Sequence, residues 1–315
     1  MSPSTHVAHS GQGGWRRLGL LPLDTSRAAW AVTHAALPVV EPIDATRLAV
    51  YLSLRDRDGR ARIGRCILVM SDAPTLEPLE TAPVLDLGSL GAFDDSGVTT
   101  SCLVTVGRDR FLYYTGWSRG VTVPFYLAAG VAVSAGGGSF VRRSAAPLLD
   151  RAPADPFLTA SPFVSIEDGR WRMWYVSASE WRQGPAGPRH YYNIRYAESA
   201  DGAAWTRDGT VCLDYATPEE YAFARPWVLR EAGGYRMWFA VRGDAYAIGL
   251  AESADGVRWT RRAEGGLKGS GTGWDSEMVE YPALFAHGGR HYMLYNGNGY
   301  GRTGVGLAVL DPPYD

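Results

Sequence analysis

The sequence lacks the features that would direct a protein to nucleic acid, to a membrane or to secretion. Its 315 residues carry a formal net charge of only −2, which gives no field that recruits nucleic acid or acidic membranes. It has no run of about 18 apolar residues, so no segment suits a membrane-spanning helix. The first 14 residues have no apolar stretch of the kind that a secretory signal requires. These absences predict a cytoplasmic protein that binds neither nucleic acid nor membrane.

Cysteine and local metal-ligand clusters are also scarce. The three cysteines, Cys66, Cys102 and Cys212, lie far apart and include no CxxC pair. They are therefore predicted to be small buried side chains in a reduced compartment, not disulfides or zinc ligands. No set of His, Cys and carboxylate residues has the local spacing of a transition-metal site. We expect no cofactor, and a calcium ion bound by dispersed oxygens stays open.

Amphipathic helices are absent from the pattern as well. Strand-forming Val, Tyr, Trp, Phe and Thr are interrupted every few residues by Gly, Pro or Asp, which is typical of all-β proteins. Closed all-β folds often exceed the usual domain size as one unit. We expect residues 1–14 to form a disordered tail and residues 15–315 to form a single domain. The sequence does not predict an oligomeric state.

A repeat of 56 to 64 residues is the most informative feature that is present. Each copy has a Pro with apolar neighbours, a short polar turn and then an aromatic-rich strand. The equivalent positions are Pro38, Cys102 (where the Pro is lost), Pro162, Pro226 and Pro282. This spacing suits one four-stranded propeller blade per copy. The sequence therefore predicts an all-β, five-bladed β-propeller.

The last copy lacks an outer strand, and the N-terminus has a segment that resembles one. Copies three and four contain near-identical Ser-Ala-Asp-Gly hairpins that lead to Trp205-Thr206-Arg207 and Trp259-Thr260-Arg261. The fifth copy stops at Leu310, whereas Trp15-Arg16-Arg17 resembles the missing outer strand. We predict that the N-terminal strand completes the last blade and closes the ring. A chance resemblance in a short Trp/Arg-rich stretch is the alternative.

Residues before each inner strand and after each second strand should meet at the mouth of a central funnel. Acids, arginines, amides and aromatic rings converging there suit a sugar, because polar groups bind its hydroxyls and rings stack on its apolar face. The predicted substrate-binding residues are His34, Arg55, Trp117, Glu180, Glu220, Arg225, Arg242, Tyr246, Tyr281, Asn296 and Asn298.

Several of these residues also have structural explanations, which stay open. A lone His at a strand start, such as His34, is more often structural. Glu220 lies in a polar loop and suits a solvated charge. Arg225 could bind an anionic substrate group or neutralise an acidic funnel. Asn296 and Asn298 flank a Gly, and Asn-Gly is a tight-turn signature.

The Pro-led inner strands, aromatic second strands and Ser-x-Asp-Gly-x-x-Trp hairpins resemble the five-bladed family-32 and family-43 glycoside hydrolases. Residues 91–98, 278–282 and 295–298 are similar to stretches in uncharacterised bacterial relatives found with sugar or lipopolysaccharide genes. The similarity covers most of the chain, from Trp30 to Leu310. It implies a sugar or sugar-derived substrate cleaved by carboxylate acid–base catalysis.

The resemblance also implies positions for the catalytic carboxylates. The family's acid Glu commonly lies two residues before an inner-strand Pro, and Glu280 matches that spacing. The family's base is usually an Asp directly before such a Pro, and no copy here has one. We take Asp95 or Asp94 as the substitute base and Glu277 as a modulator. Asp94 and Asp95 also suit a turn in which Asp bonds its own backbone.

The leading hypothesis is therefore a glycoside hydrolase-like enzyme. The missing Asp-Pro base and the arginines favour a second one, a repurposed propeller that acts as a lyase, isomerase or cyclase on a small metabolite. A third is a sugar-binding propeller without catalysis, since fold does not fix function.

Overall fold

The computed structural model of the chain describes residues 14–311. The predicted tail at residues 1–14 lies outside the described residues apart from Gly14. Nearly all regular structure is β, with one short α-helix (α1, Asn298–Gly301) and two 3-10 turns (Ala135–Gly137 and Gly273–Asp275), so the all-β prediction is confirmed. The strands are Trp15–Leu21 (β1), Thr33–Pro42 (β2), Arg47–Arg55 (β3), Ala61–Val69 (β4), Thr75–Leu76 (β5), Gly97–Val106 (β6), Asp109–Arg119 (β7), Phe125–Ser134 (β8), Val141–Arg142 (β9), Thr159–Glu167 (β10), Arg170–Gly184 (β11), Gly187–Ser199 (β12), Val211–Leu213 (β13), Ala222–Glu231 (β14), Gly234–Arg242 (β15), Tyr246–Ser253 (β16), Thr260–Leu267 (β17), Glu280–His287 (β18), Arg290–Asn296 (β19) and Val305–Leu310 (β20).

Hydrogen bonds group these strands into one sheet of four strands and two sheets of eight. Each eight-stranded sheet consists of two antiparallel four-stranded units joined by a single parallel residue pair. These pairs are Ala61 with Gly97 and Tyr192 with Ala222. The chain thus forms five consecutive antiparallel units: β2–β5, β6–β9, β10–β13, β14–β17, and β18–β20 with β1. The number of blades stays a prediction, since the hydrogen-bonded sheets number three.

The first strands of the five units contact one another in a closed order. β2 contacts β6, β6 contacts β10, β10 contacts β14, β14 contacts β18, and β18 contacts β2. Residues that are far apart along the chain therefore meet around one axis. This arrangement is what brings the candidate site together.

The N-terminal strand completes the last unit, as predicted. β1 pairs antiparallel with β20, with Trp15 opposite Leu310 and Leu21 opposite Val305. Trp15 is buried, and its ring packs edge-on against Trp238 of the preceding unit at 6.0 Å between ring centroids. The Trp15 indole N–H donates to the Gly265 carbonyl at 3.2 Å. This strand is therefore held by the sheet that it completes and by its neighbour.

The Ser-Ala-Asp-Gly hairpins form turns in which side chains satisfy the backbone. The Gly256 N–H donates to the Ser253 hydroxyl at 2.8 Å, and the Val257 N–H donates to the Asp255 carboxylate at 2.9 Å. Gly256 adopts a φ of 76°, which glycine tolerates far better than other residues. These bonds explain why the motif repeats at the same place in two units.

The three cysteines are free and buried, as predicted. Cys102 accepts the Val164 N–H at 3.2 Å between Sγ and N, which ties β6 to β10. Between Gly14 and Asp311, no helix has the length and apolar character needed to cross a bilayer.

Candidate functional site

A strained backbone position recurs at the centre of the molecule. In four units the residue directly before the repeated Pro has a positive φ: 49° at Leu37, 47° at Ser161, 51° at Arg225 and 58° at Tyr281. The strand ladder shifts register at each of these points, which marks a β-bulge. Non-glycine residues in this region are strained, and such strain concentrates at functional sites. The bulges lie around the axis on which the first strands converge.

A cavity of about 430 Å³ opens at these bulges. Its wall combines aromatic rings, small apolar side chains and two arginines. It is lined by Leu37, Arg55, Thr99, Thr115, Trp117, Phe125, Leu127, Ala160, Ser161, Val176, His190, Tyr192, Phe223, Ala224, Arg242, Tyr246, Tyr281 and Tyr300. The structure places five predicted residues here, namely Arg55, Trp117, Arg242, Tyr246 and Tyr281. Their role in binding stays a prediction.

Glu280 lies beside this cavity without lining it. Its side chain is completely buried, and neither carboxyl oxygen has a hydrogen-bond partner among the described residues. Burial raises the pKa of Glu280 to about 8, against smaller lowering effects of Tyr281, Arg242 and Arg55. All three of these residues line the cavity. Glu280 is therefore mostly protonated at neutral pH and can serve as an acid.

Asn296 lies opposite Glu280 on the neighbouring strand. Its side-chain oxygen accepts the Leu37 N–H at 3.1 Å, which links the last unit to the bulge of the first. Its Nδ2 is buried and has no partner among the described residues. Asn296 therefore positions a wall residue of the cavity, whereas its predicted contact with substrate stays a prediction.

The arginines of the cavity are not neutralised by carboxylates. Arg242 packs over the rings of Tyr221, Tyr246 and Tyr300 at 5.4 to 5.6 Å and donates to the Tyr300 hydroxyl. Its Nε is buried without a partner. The Arg55 guanidinium has no hydrogen bond or ion pair within residues 14–311. The cavity wall therefore carries positive charge.

His34 lines a recess of about 30 Å³ that shares Arg55, Tyr281 and Tyr300 with the main cavity. Its φ is 60°, so it too is strained. Burial lowers the pKa of His34 to about 4, and Arg55 and Arg302 act in the same direction. The imidazole is therefore neutral at physiological pH and can accept a hydrogen bond from a ligand.

The sequence did not indicate the aromatic wall that the long β11–β12 hairpin contributes. The His190 and Tyr192 rings stack in parallel at 4.4 Å between centroids, and Phe125 of the neighbouring unit packs 5.6 Å from His190. These three residues and Tyr300 line the cavity but were not predicted. The run of aromatics at residues 190–192, outside the repeated pattern, was the only signal available.

Asp94 is not at the cavity, in contrast to the prediction. Its carboxylate is buried and accepts the Arg142 Nε–H at 2.7 Å and the Tyr114 hydroxyl at 3.0 Å. Arg142 belongs to the outermost strand of the unit, β9. The predicted location is wrong because the side chain turns away from the axis towards the outer strand, where it finds a cation.

Glu220 shows the same departure from prediction. Its carboxylate accepts both terminal N–H groups of Arg261 in β17, at 2.6 and 2.8 Å, and is absent from the lining of the cavity. Two further clusters repeat the pattern, with Asp155 paired to Arg207 and Asp275 paired to Arg17, both at 2.8 Å. Four units thus pair an acid that precedes the first strand with an arginine in or shortly before the outermost strand, which gives each of these acids a structural partner.

Arg225 fills the axis and does not line the cavity. Its side chain is buried and donates to the Thr100 carbonyl at 3.1 Å and to the Pro38 carbonyl, so it joins three first strands. Burial lowers the pKa of Arg225 to about 9. Neither predicted explanation fits its position, because it binds backbone oxygens of neighbouring strands.

The remaining predicted residues lie in turns or at the rim, outside the lining of the cavity. Asp95 accepts the Gly91 N–H at 3.0 Å and the Ser96 hydroxyl at 2.9 Å, so it caps its own turn. Glu277 is exposed. The Asn298 side-chain oxygen accepts the N–H groups of residues 277 and 278, which fastens that loop. Glu180 pairs with its exposed neighbour Arg182.

These placements do not bring Asp95 and Glu280 together across the cavity. No carboxylate occurs among the residues that line it. Within residues 14–311, no group of three or more His, Cys, Asp or Glu side chains is arranged to hold a metal ion. The site therefore combines one buried carboxylic acid, two arginines and an aromatic wall.

Sequence comparisons identify a mycobacterial relative of this chain. No protein-family model matches the sequence. The "Uncharacterized protein Rv1502" of Mycobacterium tuberculosis is 42% identical over 298 residues, covering 94% of this chain and 99% of the mycobacterial protein.

Solved structures of similar shape are glycoside hydrolases. A glycosyl hydrolase from Bacteroides ovatus has a TM-score of 0.70 at 16% identity, covering 95% of this chain and 94% of its own. A thermostable family-43 glycoside hydrolase has a TM-score of 0.63 at 17% identity, covering 89% of each chain. The predicted resemblance to β-propeller glycoside hydrolases is confirmed, and at these identities it concerns the fold.

Proposed function

The chain belongs to the same protein family as Rv1502 of Mycobacterium tuberculosis, and we propose that it is a carbohydrate-active enzyme that binds a sugar or sugar-derived molecule in its central cavity. The glycoside hydrolases that share its fold support this proposal as an analogy. A cavity of about 430 Å³ has the size of a small-molecule site.

The observation that carries the proposal is the state of Glu280. A buried carboxyl group with two unpartnered oxygens is costly to the folded protein, and such groups concentrate at functional sites. Burial raises the pKa of Glu280 to about 8, so it holds its proton at neutral pH, as a general acid must. Its neighbours Tyr281, Arg242 and Arg55 all line the cavity.

In this proposal Glu280 donates its proton to the leaving oxygen as the glycosidic C–O bond breaks. A water molecule adds to the sugar carbon and releases the proton that restores Glu280. Trp117 and the stacked His190–Tyr192 pair offer flat apolar surfaces for a sugar ring. Because the carboxyl group is fully buried, its proton transfer requires that the group become accessible when the ligand binds. The neutral His34 in the adjoining recess can accept a hydrogen bond from the bound molecule.

A second candidate function follows from the missing carboxylate. Hydrolysis by two opposed carboxylates needs a base or nucleophile across the bond from the acid. No such group lines the cavity, and Asp94 and Asp95 are engaged elsewhere. This observation favours a lyase, isomerase or cyclase, or a sugar-binding propeller without turnover.

The test compares Glu280→Gln with the wild-type protein on a panel of aryl glycosides and nucleotide sugars. We expect the variant to lose turnover while it retains ligand binding, because the amide keeps the shape but cannot donate the proton. Glu264→Gln, at an exposed position in β17, is the matched control. Full activity in Glu280→Gln would exclude the proposed role, and binding without turnover in the wild type would favour the second candidate.

We also propose that the chain from residue 15 onward is one domain of five blades, each formed by one four-stranded unit. The closed contact order of the five first strands supports this count. The pairing of β1 with β20 supports a ring closed by the N-terminal strand.

A further inference from the structure

The two arginines of the cavity differ from the arginines at the outer edges of the units. Arg142, Arg207 and Arg261 each hold a carboxylate at 2.6 to 2.8 Å. Arg242 and Arg55 have no carboxylate partner within residues 14–311, although both line the cavity. This chain therefore pairs its partly buried arginines elsewhere but leaves the cavity cations without counter-charge.

The nearest acid does not supply that counter-charge at neutral pH. Glu280 is close enough to Arg242 and Arg55 for both to lower its pKa, yet burial still keeps it near 8. Arg225, at the axis, adds a third positive charge without a carboxylate partner. Bringing like charges together in a partly buried space is unfavourable unless an anion compensates them.

The geometry of Arg242 also leaves donors free for a ligand. Rings of Tyr221, Tyr246 and Tyr300 hold its guanidinium in place. Its Nη1 donates to the Tyr300 hydroxyl, whereas its Nη2 has no acceptor within residues 14–311. The planar guanidinium fork binds carboxylate and phosphate groups through paired hydrogen bonds. An arginine that is fixed before binding loses little freedom when an anion arrives.

We propose that the ligand of the central cavity is an acidic sugar, whose anionic group, a carboxylate or a phosphate, is bound by Arg55 and Arg242 while its ring stacks on the aromatic wall. This inference rests on the proposed function and defines its substrate class. The neutral His34 beside Arg55 adds a polar contact without repelling the anion.

Calorimetric binding to the whole protein tests the proposal. Each of glucose, galactose and mannose is measured as the neutral sugar, the uronate and the 6-phosphate. We expect at least one acidic sugar to bind about tenfold or more tightly than its neutral counterpart, because charged hydrogen bonds are stronger than neutral ones. The uronate and phosphate arms identify which anion the cavity prefers. Equal affinities, or no binding of any acidic sugar, would overturn the proposal.

The variants Arg55→Gln and Arg242→Gln identify the groups responsible. Each should weaken binding of the acidic sugar by about tenfold or more and weaken binding of the neutral sugar by clearly less. Arg108→Gln, in the exposed turn between β6 and β7, should change neither. Circular dichroism checks folding. If Arg242→Gln fails to fold, the Arg55→Gln variant alone tests the anion site, because the Arg55 side chain holds no other group in place. An equal loss for both sugars would contradict the assignment.

The outcome separates this inference from the enzymatic proposal. Aryl glycosides of an acidic sugar that bind but are not hydrolysed would support the anion site and refute catalysis by Glu280. Hydrolysis of neutral aryl glycosides by the wild type, with no preference for the acidic ones, would support catalysis and refute the anion site.

Discussion

Replacing Glu280 by Gln should stabilise the protein at alkaline pH. An ordinary glutamate in the unfolded chain has a pKa of 4.5, whereas burial raises the pKa of folded Glu280 to about 8. The folded state therefore binds the proton more tightly than the unfolded state, so the contribution of Glu280 to the unfolding free energy is fully present below pH 4.5. This contribution decreases by about 1.4 kcal/mol for each pH unit as pH rises from 4.5 to about 8, the folded pKa. Between about pH 5 and pH 9 the loss should reach roughly 4 kcal/mol.

Urea denaturation of wild type and Glu280→Gln across this pH range measures the effect. We expect the difference in unfolding free energy to move in favour of the variant by up to roughly 4 kcal/mol as pH rises. Glu264→Gln controls for the loss of a carboxylate at an exposed position in β17. Parallel pH profiles for wild type and Glu280→Gln would refute the reasoning, because they would show that the buried carboxyl does not titrate differently in the folded state.

Two further predictions concern the outer strands. Arg142→Gln leaves the buried Asp94 carboxylate without its cation and should cost about 3 to 5 kcal/mol of unfolding free energy. Arg182→Gln, at an exposed ion pair, should have no measurable effect. Equal losses in urea denaturation would contradict a structural role for Asp94. Trp15→Ala should lower the unfolding free energy by about 3 to 5 kcal/mol, because the ring is buried against Trp238. Leu18→Ala in the same strand, where the side chain is 41% exposed, should change it by no more than about 0.5 kcal/mol. Similar melting temperatures for the two variants would count against completion of the last unit by β1.

Much of the fold could be predicted because its physical cause repeats in the sequence. The Trp-x-Arg segments recur, so the deficit after Leu310 and the surplus at Trp15 were both visible, and β1 does pair with β20. The Ser-Ala-Asp-Gly turns satisfy their own backbone groups and need no distant partner. Turns and repeated strand segments of this kind can be predicted from the sequence because the residues that form them are close together or recur in it.

The candidate site was predicted less well, because position along a strand does not fix where a side chain points. Asp94 and Glu220 do precede first strands, but arginines of the outermost strands attract their carboxylates away from the axis. A second repeated pattern in the sequence could have indicated this pairing. In four copies an acid precedes the first strand, and an arginine follows two residues after a Phe or Trp near the outermost strand. His190 and Tyr192 could not be placed because the long hairpin that carries them departs from the repeat.

The pairing of β1 with β20 has a consequence for synthesis on the ribosome. β1 must wait for its partner, Val305–Leu310, because the four intervening units are translated between these two strands. Until then Trp15 and the edge of β1 are open to other molecules, and the four intervening units can fold without them. The last unit is therefore completed in a single step after β20 has been made, when β1 pairs with β20 and the Asp311 N–H reaches the Gly14 carbonyl.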